Sequence, residues 1–143
     1  MKTVYVGGPR HEAWLDVRPF YSDIAQFCEM DGHRVLLPTD DVEYKTESDF
    51  SREIRSRIKG STHVLLVPFA AFSEGSDVAV GIEAEYAHHL RKPIGVWWTP
   101  WHRENSHRSK MLMAIANLES KTEEGVTVFL KRFLKECDSA SAH

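Results

Sequence analysis

Short β-branched runs alternate along this chain with longer stretches of helical period, and few folds accommodate that pattern. A parallel sheet needs a crossover between successive strands, and a helix is the usual crossover. Thr3 to Val6 is the first run, and Gly7-Gly8-Pro9 breaks it. Arg34 to Leu37 is the second, ended by Pro38. Thr62 to Phe69 (THVLLVPF) is the most continuously apolar run, as expected of a strand buried on both faces and therefore central. Pro93 to Thr99 is the fourth, and a fifth, if the sheet has one, is short and near Leu118 to Lys121.

Between these runs the apolar period lengthens. Phe20, Ile24 and Phe27 follow Pro19, which suits a first helical turn, and Asp31-Gly32 is a stop signal. Thr39 to Asp49 is acidic and aperiodic and reads as a loop. Ser48 or Asp49 is the expected cap of a helix running to about Lys59, closed by Gly60. Ala70 to Asp77 reads as a small-residue loop, Val78 to Arg91 as a helix, Pro100 to His107 as a polar loop and Ser109 to Asn117 as another helix. Val126, Phe129, Leu130, Phe133 and Leu134 mark an amphipathic C-terminal helix. The pattern predicts a flavodoxin-like three-layer α/β/α sandwich with four or five parallel strands, one domain over residues 1–137 and a flexible tail over 138–143.

A chain of 143 residues is long enough to bury its own core. Its 18 basic and 21 acidic residues give a net charge of -3 with no basic stripe, which argues against a dedicated nucleic-acid binder but not against a nucleotide as substrate. Cys28 and Cys137 fall on apolar helix faces and are expected as buried thiols. No apolar stretch reaches the roughly 20 residues of a membrane span, and the N-terminus has no apolar signal core, so a cytoplasmic protein without a membrane partner is expected. The eight histidines include no pair spaced to share a helix face as metal ligands; neither a metal nor a cofactor is expected.

In open α/β sheets ligands bind outside the carboxyl ends of the strands. Three loops meet there: Gly7 to Glu12, Ala70 to Asp77 and Thr99 to Arg108. Gly7 and Gly8 admit close approach of backbone N–H groups to an anion, and Arg10 suits a bidentate phosphate contact, although Gly-Gly-Pro is also a common tight strand exit. Ser73, Gly75 and Ser76 precede a helix N-terminus, which favours the same chemistry. Glu83 lies about one and a half turns into that helix, and Glu85 points about 200° away, so only one of the two can face the cleft; spacing leaves open which, and equally that both are solvated surface carboxylates. Trp14 and Trp101 are candidate stacking partners for a base; Trp97 and Trp98, on a strand, read as core or subunit interface.

The GGPR loop and the segment Gly81-Ile-Glu-Ala-Glu-Tyr-Ala-His-His-Leu-Arg-Lys-Pro-Ile-Gly-Val resemble the nucleoside 2-deoxyribosyltransferase superfamily, which includes nucleoside 5′-monophosphate N-glycosidases. Glu83, Tyr86, Ala87, Lys92 and Pro93 fit its Glu-x-Gly-x-Ala helix and Lys-Pro strand entry, with Glu85 at the usual Gly. The resemblance runs from Val4 to about Ala116 and implies Glu83 as nucleophile, Arg10 as phosphate ligand and Ser109 as a residue sent into a neighbouring subunit's phosphate site, hence a homo-oligomer with a shared active site. Ser73 or Ser76 would add a hydroxyl. The family's Asp on the helix before strand three has Glu53 as its nearest acidic counterpart on an otherwise basic helix, and Thr62-His63 stands where the family has Ala-Asp. The implied activity is hydrolysis of a nucleoside monophosphate to free base and (deoxy)ribose 5-phosphate. The alternatives are a nucleoside 2-deoxyribosyltransferase, a non-catalytic nucleotide-binding module, and a TIR-like NAD glycohydrolase, which the short chain and the GGPR loop disfavour.

Overall fold

The computed structural model describes residues 1–9, 14–38, 45–68, 74–99 and 109–138, with the backbone alone for 14–16 and 74–78. Five parallel strands, β1 (Thr3–Gly7), β2 (Arg34–Leu36), β3 (His63–Leu66), β4 (Ile94–Val96) and β5 (Leu118–Glu119), form one sheet in the order β2-β1-β3-β4-β5. The apolar third run is therefore the central strand, as its composition predicts. Helices α1 (Trp14–Met30) and α5 (Val126–Glu136) cover one face, and α2 (Glu47–Lys59), α3 (Glu74–His89) and α4 (Lys110–Ile115) cover the other.

Because successive strand residues point to opposite faces, Val4, Val6, Leu65 and Val67 enter the α1/α5 layer, while Tyr5, Val64, Leu66, Ile94 and Val96 enter the other. Gly95 has no side chain because Phe133 of α5 lies against it: a Cβ there would sit 2.9 Å from the ring. Phe133 also stacks on Phe129 at 6.1 Å between centroids and takes an edge contact with His63 at 5.3 Å.

Several element boundaries differ from the sequence reading: strands β3 and β4 are shorter than the runs Thr62 to Phe69 and Pro93 to Thr99, and helix ends move. The first helix starts at Trp14, five residues early, so Pro19 lies inside it. Val17, Tyr21, Ile24 and Cys28 form its buried stripe while Pro19 faces solvent, where the hydrogen bond its nitrogen cannot donate costs least. The cap of α2 is Thr46, whose hydroxyl accepts from the Asp49 N–H at 3.1 Å, and not Ser48 or Asp49. Helix α3 starts at Glu74, so the backbone of Gly75 and Ser76 is helical rather than loop. Helix α4 ends at Ile115, two residues before the expected Asn117, and Asn117 instead accepts from the Ile94 N–H of β4.

Cys28 is fully buried, and burial first, then the nearby Asp31 carboxylate, push its thiol up to about 11. No helix among the described residues is long and apolar enough to cross a membrane.

His63, 2% exposed at the amino edge of β3, holds the C-terminal helix through a bond between its Nε2 and the Cys137 carbonyl, while its Nδ1 meets the Thr62 hydroxyl at 2.9 Å. Burial lowers its pKa; the Cys137 carbonyl opposes this, Lys2 adds to it, Asp138 opposes it and His33 adds to it. With the folded value below the unfolded one, the unfolded chain binds the extra proton, so this contribution to stability is lost as pH falls below about 6.5. The thermal midpoint should fall more steeply between pH 7 and 5 in the wild type than in His63→Gln. Parallel curves would assign the acid sensitivity to other groups.

Candidate functional site

The order β2-β1-β3 means that the chain leaves β1 toward one side and returns on the other, so the switch point of the sheet lies between β1 and β3. Gly7 ends β1 and pairs with Leu66 of β3 at that point. Across it lies the carboxylate of Glu83, which α3 delivers from its third turn, about two and a half turns from Glu74 and a turn deeper than expected because the helix starts early. A Cβ built on Gly7 would overlap Glu83 Oε2 and approach Leu66 Cδ2 to 3.0 Å. Glycine at position 7 is therefore what lets a carboxylate lie on the strand end. Glu83 is 8% exposed, whereas Glu85 is on the solvent side of the same helix. Of the two carboxylates that spacing could not separate, the structure turns Glu83 toward the sheet.

The next residues are held as closely. A Cβ on Gly8 would overlap the Tyr21 hydroxyl and lie 3.1 Å from the Val67 carbonyl. Tyr21 donates to the Pro9 carbonyl at 3.0 Å and thereby ties the exit of β1 to α1. The sequence reading missed this clamp. Its signal was a tyrosine in the buried stripe of α1, because a buried phenol needs an acceptor.

The carboxyl edge is braced further along. Val67 N–H donates to the Gly7 carbonyl at 2.8 Å, and the Thr99 hydroxyl donates to Pro68 at 2.9 Å, locking the ends of β1, β3 and β4 together. Trp97 and Trp98 bury their indoles in opposite layers, with Nε1 donating to the Glu124 carbonyl and to Glu119 Oε1 respectively. Both are core of this chain. Arg132 fixes Glu124 through two bonds of 2.8 and 3.0 Å and donates to the Glu119 carbonyl as well. Glu124 is accordingly held below the ordinary carboxylate range, chiefly by the Arg132 hydrogen bond.

The other expected site residues fall in different places. Ser109 is the N-cap of α4, its hydroxyl oxygen accepting from Leu112 N–H at 3.3 Å. Glu53 is on the exposed side of α2, where it pairs with Arg57 at 3.4 Å. Lys92 donates to the carbonyls of Lys59 and Ser61, at the amino edge of the sheet and away from Glu83. Trp14, Gly75 and Ser76 are placed by backbone alone, at the first turns of α1 and α3. Arg10, Ser73 and Trp101 lie outside the described residues.

No family model and no curated protein matches the sequence. Solved structures do. A conserved protein from Enterococcus faecalis V583 superposes with a TM-score of 0.68 at 14% identity, over 92% of this chain and 98% of its own. The Clostridium botulinum CMP N-glycosidase BcmB gives 0.63 at 14% identity, over 93% and 99%. A 2-desoxiribosyltransferase from Leishmania mexicana gives 0.63 at 17% identity, over 95% and 99%. Nearly the full length of each of these proteins is matched, and the chain has the nucleoside 2-deoxyribosyltransferase-like fold.

Proposed function

We infer that the protein cleaves the N-glycosidic bond of a nucleoside 5′-monophosphate, giving free base and (deoxy)ribose 5-phosphate, with Glu83 as nucleophile. The observation that carries this reading is the buried Glu83 carboxylate lying over Gly7 at the switch point of the sheet. The fold shared with a CMP N-glycosidase and a 2-desoxiribosyltransferase supports it. Cleavage passes through an oxocarbenium-like state that a carboxylate stabilises or traps. Glu83 bonds to C1′ as the bond from C1′ to the base breaks; the base keeps that electron pair and takes a proton from water or a nearby acid. Water then opens the glycosyl ester, releases the sugar phosphate and restores the carboxylate.

Arg10, the Gly8 N–H and the first turn of α3, with Ser73, Gly75 and Ser76, hold the phosphate in this reading, and Trp14 and Trp101 flank the base. Ser109 of a neighbouring copy completes the phosphate site: its oxygen is used in capping α4, but its proton remains to donate to an anion. Ile82, Met111 and Met113 are exposed apolar residues on α3 and α4 beside Ser109, a surface suited to that homo-oligomer. Glu53 is engaged by Arg57 on an exposed helix face, so the chemistry proposed here rests on Glu83.

Product analysis with the eight common ribo- and deoxyribonucleoside monophosphates, beside their parent nucleosides, tests the reading. Each hydrogen bond to a charged phosphate contributes roughly 1.5 to 3 kcal/mol, and several of them, discounted for desolvation, separate nucleotide from nucleoside by about 3 kcal/mol or a hundredfold in kcat/KM. Arg10→Ala should erase most of that ratio while sparing the slow nucleoside reaction. Equal kcat/KM for both substrates in the wild type would overturn the phosphate reading and favour a transferase that passes the sugar to a second base.

A further inference from the structure

Helices α2 and α3 pack side by side on one face of the sheet and leave between them an open groove of about 560 Å³ lined by Ser48, Arg52, Arg55, Ser56, Lys59 and Tyr86. Its volume is within the range of small-molecule sites. The groove runs along the flank of the molecule, whereas Glu83 lies at the carboxyl edge of the strands.

Among the described residues that line it, three of six are cations and none is a carboxylate. Arg52, Arg55 and Lys59 are spaced three and four residues apart, so they form a single row spanning about 10 Å of helix. The acidic groups of α2 answer this charge only at Arg52. Among the described residues, Asp49 meets Arg52 at 3.3 Å and Glu53 is drawn to Arg57, which is not part of the groove, while Arg55 bonds only the Ser51 hydroxyl and Lys59 has no carboxylate partner. At the far end the ammonium of Lys92 sits on the Lys59 and Ser61 carbonyls and adds to the positive field. A row of like charges on one helix is destabilising unless something answers it.

We propose that the α2–α3 groove is a binding site for a small molecule carrying two or more linked phosphate groups. A single phosphate group cannot reach Arg52, Arg55 and Lys59 together along about 10 Å of helix, whereas a chain of linked phosphates matches the length of the row. The guanidinium groups of Arg52 and Arg55 suit forked contacts with phosphate oxygens, Lys59 supplies a point charge, and Ser48, Ser56 and Tyr86 supply hydroxyl donors. The site is independent of the reaction assigned to Glu83 and stands or falls separately from it.

Isothermal titration of the full-length protein with inorganic tripolyphosphate, at fixed physiological ionic strength, tests the proposal. The tightest site in the wild type is expected to show Kd raised at least tenfold in Arg55→Ser/Lys59→Ser and unchanged in Arg10→Ala, which removes only the weaker binding at the phosphate site proposed beside Gly8. Both substituted side chains are exposed, so the double variant should keep the wild-type melting temperature; Arg52→Gln alone, with a smaller loss, gives a second reading. Adenosine triphosphate in place of tripolyphosphate separates the sources: tighter binding that is lost in the double variant assigns a nucleotide, equal binding lost there assigns the inorganic chain, and binding that survives in the double variant belongs to the Glu83 site and counts against the groove. No binding to the wild type, equal binding to the double variant, loss on Arg10→Ala instead, or displacement by sulfate at the same ionic strength would each overturn it.

Discussion

Glu83→Gln is expected to leave the melting temperature near that of the wild type and to lower turnover by at least about a hundredfold, the lower range for loss of a positioned catalytic group. The substitution keeps shape and volume in a place closed on one side by the Gly7 backbone, but an amide cannot form the glycosyl ester. Glu85→Gln, on the exposed side of the same helix, should be close to wild type. Gly7→Ala should reproduce the loss by a different route, because its methyl group claims the space of the Glu83 carboxylate. Steady-state kinetics on the three variants, with circular dichroism as the fold control, gives the comparison. Wild-type turnover in Glu83→Gln would remove Glu83 as nucleophile, and an inactive Glu85→Gln beside it would transfer the role.

The largest stability effect is expected at Phe133, not at the site. Its ring is fully buried, lies on Gly95 of β4, stacks on Phe129 and meets the edge of His63. Because Gly95 and Phe133 fill one volume between them, truncation leaves a cavity that backbone cannot fill. Phe133→Ala should cost about 3 to 5 kcal/mol, a fall in melting temperature of roughly 10 °C or more for a chain of this size. Val128→Ala, on the exposed side of α5, should move it by less than about 2 °C. A drop of the same small size at Phe133 would mean that α5 is not integral to the core.

What was legible in the sequence was whatever repeats with a period. Four of the five strands, their parallel direction, the central place of THVLLVPF and the apolar stripe of α5 all follow from alternation, composition and the need for crossovers, whereas the sequence leaves the two-residue β5 open between four strands and five. The starts of α1 and α3 were not legible, for opposite reasons. Pro19 is a strong first-turn signal that tertiary burial of Val17 and Tyr21 overrides, and Gly75 and Ser76 are weak helix formers that nonetheless occupy a first turn. The candidate site shows the same division. That a glutamate of α3 should reach the strand ends was readable; which one required the resemblance, and the structure then supplied the reason in the missing Cβ of Gly7. The basic character of α2 was plain from its residues, but a groove is a relation between two helices and no local pattern encodes it.

The adjacent tryptophans at the end of β4 bear on how this molecule opens. Trp97 anchors one layer and Trp98 the other, and their backbone N–H groups donate to the Leu66 carbonyl and the Ser120 hydroxyl. Neither layer can loosen without pulling the same two residues, so a partial opening confined to one face has no route through this strand end. In hydrogen-exchange terms these two amides should exchange only with complete unfolding, giving protection equal to the global stability at an edge where ligand-binding proteins commonly show their lowest. The rim of the sheet beside Glu83 would then be among the last parts of the protein to admit solvent.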